Sequence, residues 1–425
     1  MSVAIEIDQA RPREEAPQPL TRQPAFVRFW IGQSISVFGD QISALAIPLT
    51  AILVLDASAL EVGILTALAW LPHLLFSLPA GVWIDRRANK RGNMIVADVL
   101  RGAALATIPL AWWLGTLTIW HLLAVTFVVG ALTVFFDLSS ASFFLALVHR
   151  SQFVDANSKF SATRSLSYIA GPSVAGFLVQ VLTAPFALVA DALSFLVSAV
   201  ALRGVNVKEP AVERNGRSAR ADLVDGFRFL ARQPVLRAGV ACTSIINFFS
   251  FFGFAIFVLY ASRTLDLSAA AIGVILGAAS FGALAGALIA PRVGRRLGIG
   301  RAVVLGAVLF PAPMALFPLA HGDAWLAGSM LLVGEFFASV GVMIFDVNQN
   351  SLSAMLTPQA VRSRVVGVSR FFNYGTRPFG AFLGGVLGAT IGLRPTLWIC
   401  VIGCLLGVFF LLASPMPRMR EEDLT

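Results

Sequence analysis

Twelve stretches of about twenty or more mostly apolar residues follow one another from Phe26 to Ala413, and the turns on one side of them are short. No water reaches backbone N–H and C=O groups inside a bilayer, so stretches of this kind are helices. They fall at 26–54, 59–84, 92–115, 119–146, 155–182, 185–204, 236–261, 267–290, 300–319, 324–348, 362–390 and 393–413. Turns as short as Thr183-Ala184 make neighbouring helices antiparallel. Only 13% of the residues are charged and 57% are hydrophobic. A soluble domain carries roughly 25% charged residues, so lipid is the solvent this surface requires.

Charge is sorted by side. Of 32 Lys and Arg, only Arg263 and Arg394 fall in turns of one side; the other 30 (32 − 2) lie in tails, in turns of the opposite side or within spans. That asymmetry marks the basic side as cytoplasmic, with both termini on it. The net charge of +9 therefore reports topology and excludes a nucleic-acid partner. The first 24 residues mix Glu6, Asp8, Arg11, Arg13, Glu14 and Glu15 and lack the pattern of a secretory signal. Few Lys against many Arg and Ala suggests a GC-rich bacterial genome, hence a bacterial inner (plasma) membrane.

The chain repeats itself. Gly81-Val-Trp-Ile-Asp85-Arg86-Arg87-Ala-Asn-Lys90-Arg91 has a weaker copy in Gly286-Ala-Leu-Ile-Ala290-Pro291-Arg292-Val-Gly-Arg295-Arg296, offset by 286 − 81 = 205. Arg164, Tyr168 and Pro172 match Arg370, Tyr374 and Pro378, each offset by 206, and Phe136-Asp137 matches Phe345-Asp346. Repeats of this kind mark transporter folds with a site between the halves near mid-membrane. The expected fold is an all-α membrane protein, twelve transmembrane helices in two pseudo-symmetric six-helix bundles. Its parts are a tail at 1–25, a bundle at 26–204, a linker at 205–235, a bundle at 236–413 and a tail at 414–425. In the linker Leu223, Val224, Phe227 and Leu230 line one helical face and Asp225, Arg228 and Arg232 another. It either lies on the membrane surface or is an exposed connector.

These residues resemble the major facilitator superfamily. Gly81, Asp85, Arg86, Lys90 and Arg91 match its signature loop, with Ala88-Asn89 where the family has a Gly. Phe26-Val-Arg28-Phe-Trp-Ile-Gly-Gln, Gly39-Asp40, Asp98-Val-Leu-Arg101, Phe136-Asp137, Ser161-Ala-Thr-Arg164-Ser-Leu and Asp191-Ala-Leu-Ser-Phe resemble the branch that holds macrolide-efflux proteins and the enterobactin exporter. The resemblance implies alternating access. It also implies that the signature loop latches the basic ends of the two halves together; fixing topology alone is the plainer role. Gly171-Pro172-x-x-Ala175-Gly176 is similar to an element of drug antiporters, where Pro bends the helix and small residues admit a neighbour. The second half has Arg377-Pro378 instead.

Ionisable residues within spans cost several kcal/mol and so are functional candidates. Asp40 and Glu335 stand near mid-depth, with Arg377 similarly deep. Asp40 and a Glu335–Arg377 pair are the expected proton or substrate sites; static helix-to-helix hydrogen bonds are the alternative. Asp137 with Arg164, and Asp346 with Arg370, lie nearer the basic side and read as gate pairs. Asp98 and Arg101, spaced i, i+3, pair with each other. His73 is a proton relay or a packing residue. Phe248, Phe249, Phe251 and Phe252 line a cavity or face lipid. Cys242, Cys400 and Cys404 read as small packing residues. No phosphate-binding loop, metal-ligand spacing or catalytic triad is legible, and no cofactor or enzymatic activity is expected. The reading that follows is a monomeric secondary exporter whose partners are protons, membrane lipids and a small apolar or amphiphilic substrate such as an antibiotic, macrolide or siderophore. An importer, a lipid flippase or a non-transporting sensor are the alternatives.

Overall fold

The computed structural model describes residues 18–85, 89–207 and 219–419. The helices, in chain order, are α1 (Pro24–Leu53), α2 (Ala59–Asp85), α3 (Lys90–Trp113), α4 (Ile119–Leu147), α5 (Phe153–Leu182), α6 (Ala184–Arg203), α7 (Ala219–Arg232), α8 (Pro234–Leu259), α9 (Ala269–Leu297), α10 (Ile299–Leu309), α11 (Pro311–Met314), α12 (Leu316–Leu319), α13 (Ala324–Leu356), α14 (Gln359–Thr390) and α15 (Leu393–Leu412). Among the described residues eleven helical segments are long and apolar enough to cross a membrane, with α10–α12 counted as one. The twelfth long helix is α14. Arg362, Arg364, Arg370 and Arg377 lower its apolar character, and it packs against α2 and α8.

Local chemistry explains the boundaries. Ser58 and Glu61 cap the start of α2 reciprocally: the Ser58 N–H donates to the Glu61 carboxylate at 2.8 Å, and the Glu61 N–H donates to Ser58 Oγ at 3.3 Å. Thr118, Ser268 and Asp323 cap α4, α9 and α13. The turns opposite the basic side reverse through left-handed residues in matching pairs. Asp56 (φ 51°) corresponds to Asp266 (φ 50°), Gly115 (69°) to Gly322 (87°), and Thr183 (77°) to Gly392 (93°).

Three spans depart from the sequence reading, one of them α13, which runs eight residues (356 − 348) past the end read from hydropathy. The second basic cluster is not a turn, because α9 continues through Pro291 to Leu297. Arg292, Arg295 and Arg296 ride on its last turns, where cations oppose the helix dipole. The span at 300–319 is three short helices, since Pro311, Pro313 and Pro318 remove backbone donors. Side chains satisfy the exposed carbonyls: Tyr260 Oη donates to Phe317 O at 3.0 Å, and Arg394 Nη2 to Ala320 O at 3.0 Å. This is why Arg394 stands on the side otherwise poor in cations.

Each half packs by one plan. In the first, α1 lies against α5 and α6, α2 and α3 against α4, and α3 against α6; in the second, α8 lies against α14 and α15, α9 and α10 against α13, and α10–α12 against α15. The halves meet where α2 crosses α14 and α5 crosses α9. The linker helix α7 docks on α14 and α8. Leu230 is buried with Leu236, Val365 and Val368, and Asp225 faces Arg364 at 3.4 Å. Val224 and Phe227 remain exposed.

Candidate functional site

The seam between the halves is sealed at the end opposite the basic turns. A Cβ on Gly63 of α2 would stand 2.9 Å from Gly385 N of α14, and one on Gly176 of α5 would stand 3.1 Å from Gly273 Cα of α9. Only glycine permits backbones this close. Arg263 adds an ion pair to Asp56 and donates to Ile52 O at 3.1 Å, tying the second half to the first. Farther in, Ser280 Oγ of α9 donates to Tyr168 O of α5 at 2.6 Å. Towards the basic end the contacts lapse. Gly81 and Gly367 have open space where a side chain would stand, and Arg164 and Arg370 are exposed. Gly81 is therefore not a close-packing point in this conformation.

At mid-depth α2 and α14 share an aromatic and cationic cluster. Trp70 and Tyr374 stack with ring centroids 6.0 Å apart at 16°, and His73 stacks on Tyr374 at 6.4 Å. The Arg377 guanidinium lies 4.4 Å from the Trp70 ring and 4.3 Å from the Tyr374 ring, and Nε donates to Asn247 Oδ1 at 3.0 Å. Phe251 joins at 5.5 Å from Trp70. Its neighbours pack helices instead: Phe248 and Phe252 meet glycines of α14, and Phe249 meets Gly403. His73 Nδ1 is buried without a hydrogen-bond partner among the described residues. The expected Glu335–Arg377 pair is not formed. Glu335 has no ion pair among the described residues, and the carboxylate in the field of Arg377 is Asp346. Position along a helix does not say which face a residue presents.

The first half holds a polar cluster across four helices. Arg101 of α3 is 1% exposed; it pairs with Asp98, donates to Thr133 at 3.3 Å, and lies over Phe136 (4.3 Å) and Phe195 (4.1 Å). Asp191 of α6 accepts hydrogen bonds from Ser43 of α1 and from Ser194 at 2.9 Å. The charged groups facing Asp40 are Asp191, Arg101, Asp137 and Asp98. Asp137 is accessible and faces Arg101 and Arg164. Neither gate couple, Asp137–Arg164 nor Asp346–Arg370, forms an ion pair among the described residues. Their exposed arginines stand at the open basic end, where the bundles have parted. The Asp98–Arg101 pairing is formed as its i, i+3 spacing predicts.

Pro172 does more than bend α5. Its carbonyl packs on Gly273 of α9, and a Cβ on Gly277 would meet Ser173 Oγ at 2.8 Å, so the Gly171–Gly176 element is part of the seam between halves. Gly171 itself admits Gln41 of α1. Of the signature loop, Lys90 opens α3 and Arg91 donates to Val205 O within its own half; Arg86 and the Asp85 carboxylate lie outside the described residues. Beside it, Phe76, Trp83, Asn93, Val96 and Phe135 line a groove of about 680 Å³ between α2, α3 and α4. The three cysteines are buried and form no disulfide. Trp70, Asn247 and Ser43 are not singled out by the sequence reading, and Tyr374 and Ser194 enter it only as a repeat position and within a family-like string. The i, i+3 spacings Trp70/His73 and Tyr374/Arg377 were the available signal.

Known proteins share this architecture. Residues 16–425 match the family model described as transmembrane secretion effector. The multidrug efflux pump Tap of Mycolicibacterium fortuitum is 28% identical over 91% of this chain and 94% of its own length. Macrolide efflux protein A of Streptococcus pyogenes is 25% identical over 43% of this chain and 44% of its own. A bacterial homologue of the iron transporter ferroportin in its inward-facing state superposes with a TM-score of 0.75 at 16% identity, covering 93% of this chain and 99% of that one. Its outward-facing state gives 0.57. Family and relatives are transporters, not enzymes. The chain belongs to the transmembrane secretion effector family of the major facilitator superfamily, within the branch of efflux transporters.

Proposed function

We propose that this protein exports a small amphiphilic compound from the bacterial cytoplasm by proton antiport with alternating access, acting as a monomer in the plasma membrane. The observation that carries the reading is a seam between the halves, shut by glycine contacts at one end and parted at the other, with the Trp70, Tyr374 and Arg377 cluster on it. Cations concentrate at the parted end, which supports a cytoplasmic position for it and for both termini. Substrate enters there and meets the rings of Trp70, Phe251 and Tyr374, with Arg377 as polar handle. Asp40 and Glu335 exchange protons with the cavity. Rocking of the bundles opens the glycine seam and brings the basic ends together, where Gly81, Asp85, Arg86, Lys90 and Arg91 latch. The relatives' names, multidrug and macrolide efflux, support the substrate class.

Inverted membrane vesicles test this. With an acid lumen, wild type is expected to accumulate ethidium or a labelled macrolide and to stop when a protonophore collapses the gradient, while Asp40→Asn at normal membrane level does not accumulate. Movement in the reverse direction, or no response to the gradient, overturns antiport export. Unchanged accumulation by Asp40→Asn removes that residue from the mechanism.

A further inference from the structure

The first-half cluster contains more carboxyls than its cations can hold. Asp40, Asp98, Asp137 and Asp191 converge on Arg101, and Arg164 faces Asp137 alone. Arg101 is committed to Asp98, the one ion pair of this cluster among the described residues. Asp191 is 0% exposed, yet only hydroxyls hold it, Ser43 from α1 and Ser194 from its own helix. Gly39 makes its place, since a Cβ there would run into the Asp191 carboxyl and Ser194. Nearby, the Ser198 hydroxyl of α6 faces the Asp98 carboxyl, so this cluster too draws on α6. An unpaired buried carboxylate costs several kcal/mol, and two neighbouring carboxyls do not both ionise readily. The excess negative charge has no cation to hold it, and bound protons would remove it.

We propose that Asp191 is a second proton-binding carboxyl of the coupling site, sharing one proton with Asp40 across the contact of α1 and α6. This rests on the antiport reading above. Asp40, half-buried on the cavity side, exchanges with water; Asp191, sealed behind it, holds the proton when Asp40 is charged. The step is proton transfer only, an O–H bond breaking on one carboxyl and forming on the other. Ser43, one turn on from Asp40 and bonded to Asp191, supplies the hydroxyl that reaches from α1. The groups that set the balance are Asp40 on α1, Asp98 and Arg101 on α3, Asp137 on α4 and Arg164 on α5.

The experiment compares wild type, Asp191→Asn, the double variant Ser43→Gly with Asp191→Cys, and Asp40→Asn in inverted vesicles. Ethidium accumulation under an imposed pH gradient is divided by downhill ethidium flux without one, and the flux is followed across pH. Asp191→Asn and the double variant are expected to lower that ratio about tenfold, the equivalent of one pKa unit of coupling, and to flatten the pH profile. A wild-type ratio and pH profile in both, with Asp40→Asn defective, overturns this inference and leaves antiport standing. A wild type that ignores the gradient overturns both. Loss of membrane protein in both variants assigns Asp191 to folding and overturns the inference too.

Discussion

The contact of α1 with α6 and that of α8 with α15 are built in one register and filled with different chemistry. Helix starts give the correspondence: 234 − 24 = 210 and 393 − 184 = 209. Ser43 against Asp191 in the first half becomes Gly253 against Cys400 in the second, where a Cβ on Gly253 would meet Cys400 Sγ at 2.9 Å. Gly39 against Ser194 becomes Phe249 against Gly403. Gly32 against Ser198 becomes Cys242 against Gly407. Large and small exchange sides, and polar becomes apolar. By the same rule Asp98 and Arg101 correspond to Ala307 and Phe310 (299 − 90 = 209). The second half shows that the fold does not need buried charge at this contact. In the first half that charge is retained although an apolar filling of similar volume is often neutral or stabilising, which is the physical case for a working role.

The comparison can be pressed. Arg101→Met is expected to have the largest effect, because it leaves Asp98 buried and unpaired; thermal unfolding in detergent should show a loss of about 3–5 kcal/mol. Thr183→Gly should act oppositely. Thr183 holds φ 77°, ψ 157°, nearly the conformation of Gly392 (φ 93°, ψ 162°), which a β-branched residue adopts only under strain. Copying the second half there should raise stability by about 1 kcal/mol. Arg263→Ala should be the mildest. The half-related position is Leu53 (263 − 210), so the clasp to Asp56 is one-sided, and an exposed pair contributes at most about 1 kcal/mol. Distance measurements between spin labels on the two end turns should show a modest gain in the state open at that end. No change in that population would reassign closure to the glycine contacts alone.

Much of this was legible in the order of residues. Apolar run length located most membrane helices to within about three residues, missing the C-terminal ends of α9 and α13 by seven (297 − 290) and eight (356 − 348), and repeated Arg, Tyr and Pro positions exposed the two halves. The broken span was missed because Pro311, Pro313 and Pro318 sit in a run that hydropathy alone reads as continuous. Mid-depth Asp40, Glu335 and Arg377 were visible, but their partners were not. Ser43 and Asp191 are 148 positions apart, and only the packing of α1 on α6 makes them neighbours. Arg377 was assigned to Glu335 by depth, whereas packing of α2 against α14 gives it Trp70 and Tyr374. Polar partners in a membrane are set by which helix faces which, and periodicity carries that information weakly when most faces are apolar.

The most direct test is whether the conformational equilibrium of the bundles follows the protonation of the first-half cluster. Spin labels at each end of the seam would report opening and closing in lipid nanodiscs as pH is varied. Wild type should show the two ends moving in opposite senses between acid and alkaline conditions, and the variant carrying Ser43→Gly with Asp191→Cys should visit both states in proportions that scarcely change with pH. A pH response in that variant equal to wild type would contradict the account.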